Sequence, residues 1–351
     1  MAAQTIRQKC RKLFELLFVD KPDENAKYRK TGLRALYRKE LVDYFRSKRF
    51  LIVLILISVI ALYSVYSAGE AIKSAIAAAG MSSGPGQTTQ STYSILNLFT
   101  ESGSSWFSLT FFMSFLGPIV GLTLGFDAIN GERSKRTLSR LLAQPIYRDA
   151  VINGKFLAGV TVIAIMVFSL GLIICGLGII MTGLPPTLDV LGRVLVFMIF
   201  TTVYISFWLA LSQLFSLLFR HAATSALTGI ALWLFFAIFL VMLAGLIANA
   251  VYPVSDTSSV DVMMNNYNLN KGLSRLSPTT LYTESSAVIL DPFQRGLGAV
   301  TQAQIDRAIV GTLPLGQSLL LVWPHLTGLL ALTMIVFAIS YICFMKQEIR
   351  A

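Results

Sequence analysis

Six runs of apolar residues, at 50–67, 105–129, 155–182, 190–219, 222–250 and 317–345, constrain this 351-residue chain more than any other feature. A hydrocarbon layer about 30 Å thick is crossed by roughly 20 helical residues, and each run approaches or exceeds that length. Lipid offers no water to backbone N–H and C=O groups, so a crossing segment must be a helix or a strand of a closed barrel. Barrel strands alternate over about ten residues, whereas these runs are continuously apolar and so predict helices. Charged residues make up 13% of the chain, against about 25% in ordinary soluble domains. The expected fold class is an all-α membrane protein with six transmembrane helices. The first run begins behind 49 mostly polar residues, too late for a signal peptide, and reads as a retained helix.

Charge sets the expected orientation. With the N-terminus inside, 23 of the 29 Lys and Arg residues fall on the inner side, the asymmetry that marks cytosolic flanks. This predicts a multi-pass protein of the cell (plasma) membrane with both termini cytosolic. It also accounts for the net charge of +11 without nucleic acid as a partner. The two histidines and three cysteines, Cys10, Cys175 and Cys343, show no metal-ligand or disulfide spacing.

The expected organisation has four parts. Residues 1–49 form cytosolic amphipathic or interface helices. Their apolar stripes are Ile6, Cys10, Leu13, Phe14 and Leu17, then Leu33, Tyr37, Leu41, Tyr44 and Phe45. A basic amphipathic helix with aromatics lies in the membrane interface, and the alternative is a helix packed on a soluble partner. Residues 50–250 carry spans one to five. Residues 251–316, too polar to span and too long for a turn, form a small extracytoplasmic cap with helix-like pieces at 280–290 and 301–311. Residues 317–351 are the sixth span and a short cytosolic tail. The earlier outer segment, 68–104, is rich in Ser, Gly, Thr and Gln and reads as a short helix plus a loop.

The inner loop between spans two and three holds the most specific order of residues. Leu138, Leu141 and Leu142 make an apolar patch at i, i+3, i+4. Arg133, Arg136 and Arg140 project elsewhere, and Pro145 ends the helix. The order Gly131-Glu132-Arg133, Thr137-Leu138, Leu141-Leu142, Pro145 and Arg148 resembles the cytosolic coupling helix of ABC-2 type transporter permeases, here at 131–146. The chain departs from that pattern at Arg136, where the family often has Gly. The resemblance extends to the N-terminal helix, the six spans and the larger outer segment before the sixth. The subgroup most similar in appearance includes the permease of the nitrous oxide reductase maturation system.

The resemblance implies a permease subunit of an ATP-driven exporter, pairing with a second permease copy as a homodimer and with separate ABC ATP-binding subunits. The docking residues would be Gly131, Glu132, Arg133, Arg136, Thr137, Leu138, Leu141, Leu142, Pro145 and Arg148. The chain contains no G-x-x-x-x-G-K-[ST] loop, so ATP and Mg would sit on the partner, with no cofactor in this chain and no enzymatic role. An ion-coupled secondary transporter or channel is the first alternative. The span centres carry almost no charge for such an ion site. A membrane scaffold that recruits partners is the second. Gly117, Gly121 and Gly125, at four-residue intervals, predict a close helix-packing seam, within the chain or at a permease dimer. Asp127 and Arg193 sit near span ends and predict capping or snorkelling.

Overall fold

The computed structural model describes residues 24–79, 94–100, 108–134, 147–182, 186–255, 258–294, 296–297 and 312–347. Among these residues every regular element is helical. Helix α1 (Glu24–Arg46) leads into α2 (Lys48–Ala79), and a short α3 (Ser94–Thr100) follows. Then come α4 (Leu109–Gly125), α5 (Asn130–Ser134), α6 (Arg148–Thr182) and α7 (Leu188–Leu218). The chain continues through α8 (Ala222–Leu234), a π turn (Phe235–Phe239) and α9 (Leu240–Val251). It ends with α10 (Val260–Ser274), α11 (Pro278–Leu290) and α12 (Leu315–Lys346).

Among the described residues, six stretches are long and apolar enough to cross a membrane: Lys48–Glu70, Leu109–Ser134, Arg148–Met181, Leu188–Leu218, Ala222–Val251 and Leu315–Lys346. The chain is therefore a multi-pass membrane protein, as the apolar runs predict. Helix α2 continues past its span to Ala79, where 68–104 reads from sequence as a short helix and loop. The Ala-rich stretch after Lys73 favours helix intrinsically.

Helix α7 is the hub, with 72% of its most apolar stretch buried. Its hydroxyls close local bonds: Thr201 Oγ1 donates to the Phe197 carbonyl at 2.8 Å and Ser206 Oγ to that of Thr202 at 2.7 Å. Such back-bonding removes polar groups from lipid. The seam at Gly117, Gly121 and Gly125 faces this helix of the same chain. A Cβ on Gly121 would lie 2.6 Å from the Ile205 carbonyl oxygen and 2.8 Å from the Leu209 nitrogen. Pro118 inside α4 removes the N–H that would serve the Ser114 carbonyl. The Tyr204 hydroxyl donates to that carbonyl instead, at 2.7 Å.

The segment expected as a cap runs inward where it is described. Asn266 Nδ2 donates to Asn249 Oδ1 at 2.8 Å and to the Tyr252 carbonyl at 2.7 Å, near the end of the fifth span. Asn270 reaches the level of Gly245, and Ser277 Oγ donates to the Phe236 carbonyl at 2.9 Å. Phe236 lies near the middle of the fifth span, roughly 22 Å along the helix from Val251 at 1.5 Å per residue. Helix α11 then climbs back. The Tyr282 ring stacks on Tyr204 at 4.3 Å, and its hydroxyl lies 3.0 Å from Thr201 Oγ1. Higher up, the Ile289 carbonyl accepts from Arg193 at 2.9 Å. Helices α10 and α11 thus form a hairpin whose tip reaches the level of the midpoints of the fourth and fifth spans. The helix-like piece at 280–290 falls in α11, and the piece at 301–311 lies outside the described residues.

Arg193 corrects the snorkelling expectation. Its side chain is fully buried and bonds Asp189 Oδ2 (2.8 Å), the Ile289 carbonyl, Ser318 Oγ (3.3 Å) and the Leu313 carbonyl. The planar guanidinium fork supplies enough donors to join the starts of α7 and α12 to the end of α11.

Candidate functional site

The candidate site lies on the face that carries the 131–148 loop. Side chains from α1, α2, α5, α6 and α7, from the turn between α4 and α5, and from Gln347 just after α12 meet around the two ends of the loop.

Glu132 anchors the first end. Lys155, one turn into the apolar part of α6, places Nζ 2.9 Å from Glu132 Oε1 and 3.0 Å from Glu40 Oε1, with only 4% of its side chain exposed. Lys39 Nζ lies 3.0 Å from Glu40 Oε1 and 3.5 Å from Glu132 Oε1. Lys39 also lies 3.5 Å from the exposed Asp43 Oδ2, and within the cluster the buried carboxylates of Glu40 and Glu132 each have cations beside them, which is what buried charge requires. Burial pushes the Glu40 carboxyl up, but the Lys155 and Lys39 charges outweigh it and hold the group below its usual range. Burial disfavours the Lys39 charge, and the carboxylates of Glu40, Glu132 and Asp43 together outweigh it and raise that pKa.

The turn before α5 is capped from α7. Ser216 Oγ accepts the backbone N–H groups of Ile129 (2.9 Å) and Asn130 (3.1 Å). These are donors that a helix start otherwise leaves unpaired. Asp127 pairs with Arg49 at the start of α2, and that guanidinium lies 5.2 Å from the Phe126 ring. The near-interface expectation for Asp127 therefore resolves to an ion pair between the first two spans.

Gln347 gathers both loop ends beneath the sixth span. Arg133 donates to its Oε1 at 2.6 Å and Arg148 to its backbone carbonyl at 2.9 Å. Gln347 Nε2 in turn donates to the Leu217 carbonyl at 3.1 Å. Helix α1 packs on the third span, with Leu36 at 3% exposure against Gly154 and the Tyr37 hydroxyl donating to Thr161 Oγ1 at 2.9 Å. Its partner is therefore the chain's own span, with Leu36 and Glu40 on the buried side.

Of the sequence-predicted docking residues, Glu132, Arg133 and Arg148 are brought together here. Gly131 stands beside them with room for a methyl, its nearest neighbour being Asp127 Cβ at 3.5 Å. Arg136, Thr137, Leu138, Leu141, Leu142 and Pro145 lie outside the described residues. Sequence reasoning missed Glu40, Lys155, Ser216 and Gln347 as members. The available signal was Lys155, a lysine at the edge of an apolar run, where an unpaired charge is costly. No group of His, Cys, Asp and Glu able to hold a metal occurs among the described residues.

Comparison with known proteins bears on this arrangement. The probable ABC transporter permease protein NosY of Pseudomonas aeruginosa is 39% identical over 67 residues, which is 19% of this chain and 24% of that protein. The match thus spans about a quarter of the relative's length. The sequence model of the ABC-2 family transporter proteins matches residues 34–349, from the middle of α1 to beyond the sixth span. The six spans and the extent of that match place this chain in the ABC-2 family, as a transmembrane subunit of an ABC transporter.

Proposed function

We propose that the chain is the permease subunit of an ATP-driven exporter, working as a homodimer with separate ATP-binding subunits seated on the 131–148 loop. The observation that carries this reading is the clamping of both loop ends. Glu132 is joined through Lys155 to α1 and the third span, and Arg133 and Arg148 are joined through Gln347 to the sixth span. Force applied to the loop by a closing ATPase pair is delivered to several spans at once. The loop face is cytosolic in this reading, supported by the 23 basic residues on that side. ATP and Mg belong to the partner. The fifth span, with 11% of its most apolar stretch buried, leaves a surface for lipid and a second copy.

Mild purification of the full chain from its native host tests the partnership. The expected result is a stoichiometric ATP-binding protein that co-purifies and supplies all ATP hydrolysis. A chain that purifies without such a partner, at full yield and in folded form, overturns the reading.

A further inference from the structure

The α10–α11 hairpin carries charge into the depth of the spans. Glu284 on α11 has a side chain only 8% exposed, and three cationic or titratable groups surround it. Arg275 Nε donates to its Oε2 at 2.8 Å, His325 Nε2 lies 3.1 Å from the same oxygen, and Lys271 Nζ lies 3.2 Å from Oε1. His325 stands ten residues into α12, roughly 15 Å along that helix at 1.5 Å per residue. Lys271 follows Asn270, which is level with Gly245 and so well below the end of the fifth span. Among the described residues, one carboxylate thus faces two permanent cations, and the cluster holds a surplus positive charge. The Arg275 fork is also occupied, since its second nitrogen donates to the Leu297 carbonyl at 2.8 Å. Lys271 keeps the surplus: its Nζ lies 5.8 Å from the centre of the Tyr267 ring and its side chain remains 36% exposed. The buried Nδ1 of His325 has no hydrogen-bond partner, so the cluster's polar groups are not closed among themselves.

An exposed cation at this depth calls for an anion. The neighbouring surface states what accompanies it. Leu276, about one turn deeper than Lys271, is 65% exposed and apolar, and Met263, two turns shallower on the Lys271 side of α10, is 50% exposed. We propose that Lys271 binds the anionic head group, phosphate or carboxylate, of a single amphiphile whose tail passes Leu276 toward the middle of the membrane, with Arg275 holding Glu284 in place beside it. Binding stands on this geometry alone. The role of the amphiphile as cargo rests on the transporter reading.

Native mass spectrometry of the full-length protein in mild detergent tests the site. The probes are phosphatidylglycerol, phosphatidylcholine of the same chain length, and inorganic phosphate. Phosphatidylglycerol is expected to bind about tenfold more tightly than phosphatidylcholine, the factor a single charge-assisted contact provides. Lys271→Gln is expected to erase that preference and Lys271→Arg to keep it. Competition by inorganic phosphate would show that the head group suffices, and its failure that the tail contributes; either supports the site. Equal binding of the two lipids, or a preference unchanged in Lys271→Gln, overturns it. Co-purification of the ATPase is expected to survive Lys271→Gln, so a negative lipid result with the ATPase still bound counts against this site and not against the transporter reading.

Discussion

Replacement of Lys155 by Met is expected to destabilise the protein by about 3 kcal/mol, the scale for removing one partner of a buried ion pair. The wild-type ammonium lies within 3.0 Å of both Glu132 and Glu40, and its side chain is almost wholly buried. Methionine fills much the same volume, so packing is kept and charge is lost. Among the described residues, two carboxylates then face each other with Lys39, half exposed and shared with Asp43, as the remaining cation. Apparent thermal midpoints in detergent should fall by several degrees. Adding Glu132→Gln to Lys155→Met should recover part of that loss, because it removes one of the orphaned charges. A single variant as stable as the wild type would mean that water already screens this cluster.

Gly121→Val is expected to cost about 3 kcal/mol, the upper part of the range for overpacking. The added Cβ meets backbone, the carbonyl of Ile205 and the nitrogen of Leu209, and backbone in the middle of two long helices has no rotamer to change. Helices α4 and α7 must separate, and the contact between Tyr204 and Ser114 separates with them. Gly176→Ala is the matched control. It lies in the interior of α6 with nothing within 4 Å of its Cβ position, so better helix propensity should leave stability unchanged or raise it by up to about 1 kcal/mol. Thermal unfolding of the two variants side by side separates a backbone clash from a general intolerance of change at span glycines.

The spans were legible because continuous apolarity is itself the physical requirement for crossing lipid. Their extension beyond the apolar runs was less so. Helix α3 hides in a Ser- and Thr-rich stretch, yet Ile95, Leu96, Leu98 and Phe99 are buried. The hairpin was hidden for the opposite reason. Helix α10 carries Asn265, Asn266, Asn268 and Asn270, which read as solvent-facing. Its Asn266 finds polar partners on the fifth span instead, and hydropathy does not register such pairing. The hairpin also brings Lys271, Arg275 and Glu284 beside His325, charges that a span-by-span reading assigns to the surface. At the loop, the order of Gly131, Glu132, Arg133 and Arg148 was readable as a motif. The partners Glu40, Lys155 and Gln347 were not, because contacts between residues far apart in the chain leave no periodic trace.

In the proposed assembly the 131–148 loop receives the ATPase. The paired substitution Leu141→Asp/Leu142→Asp tests it most directly, by co-purification of the ATP-binding subunit with the full chain after mild solubilisation. The variant is expected to insert into the membrane at wild-type levels and to lose the ATPase. An ATPase that co-purifies at wild-type stoichiometry with the inserted variant would contradict that assembly.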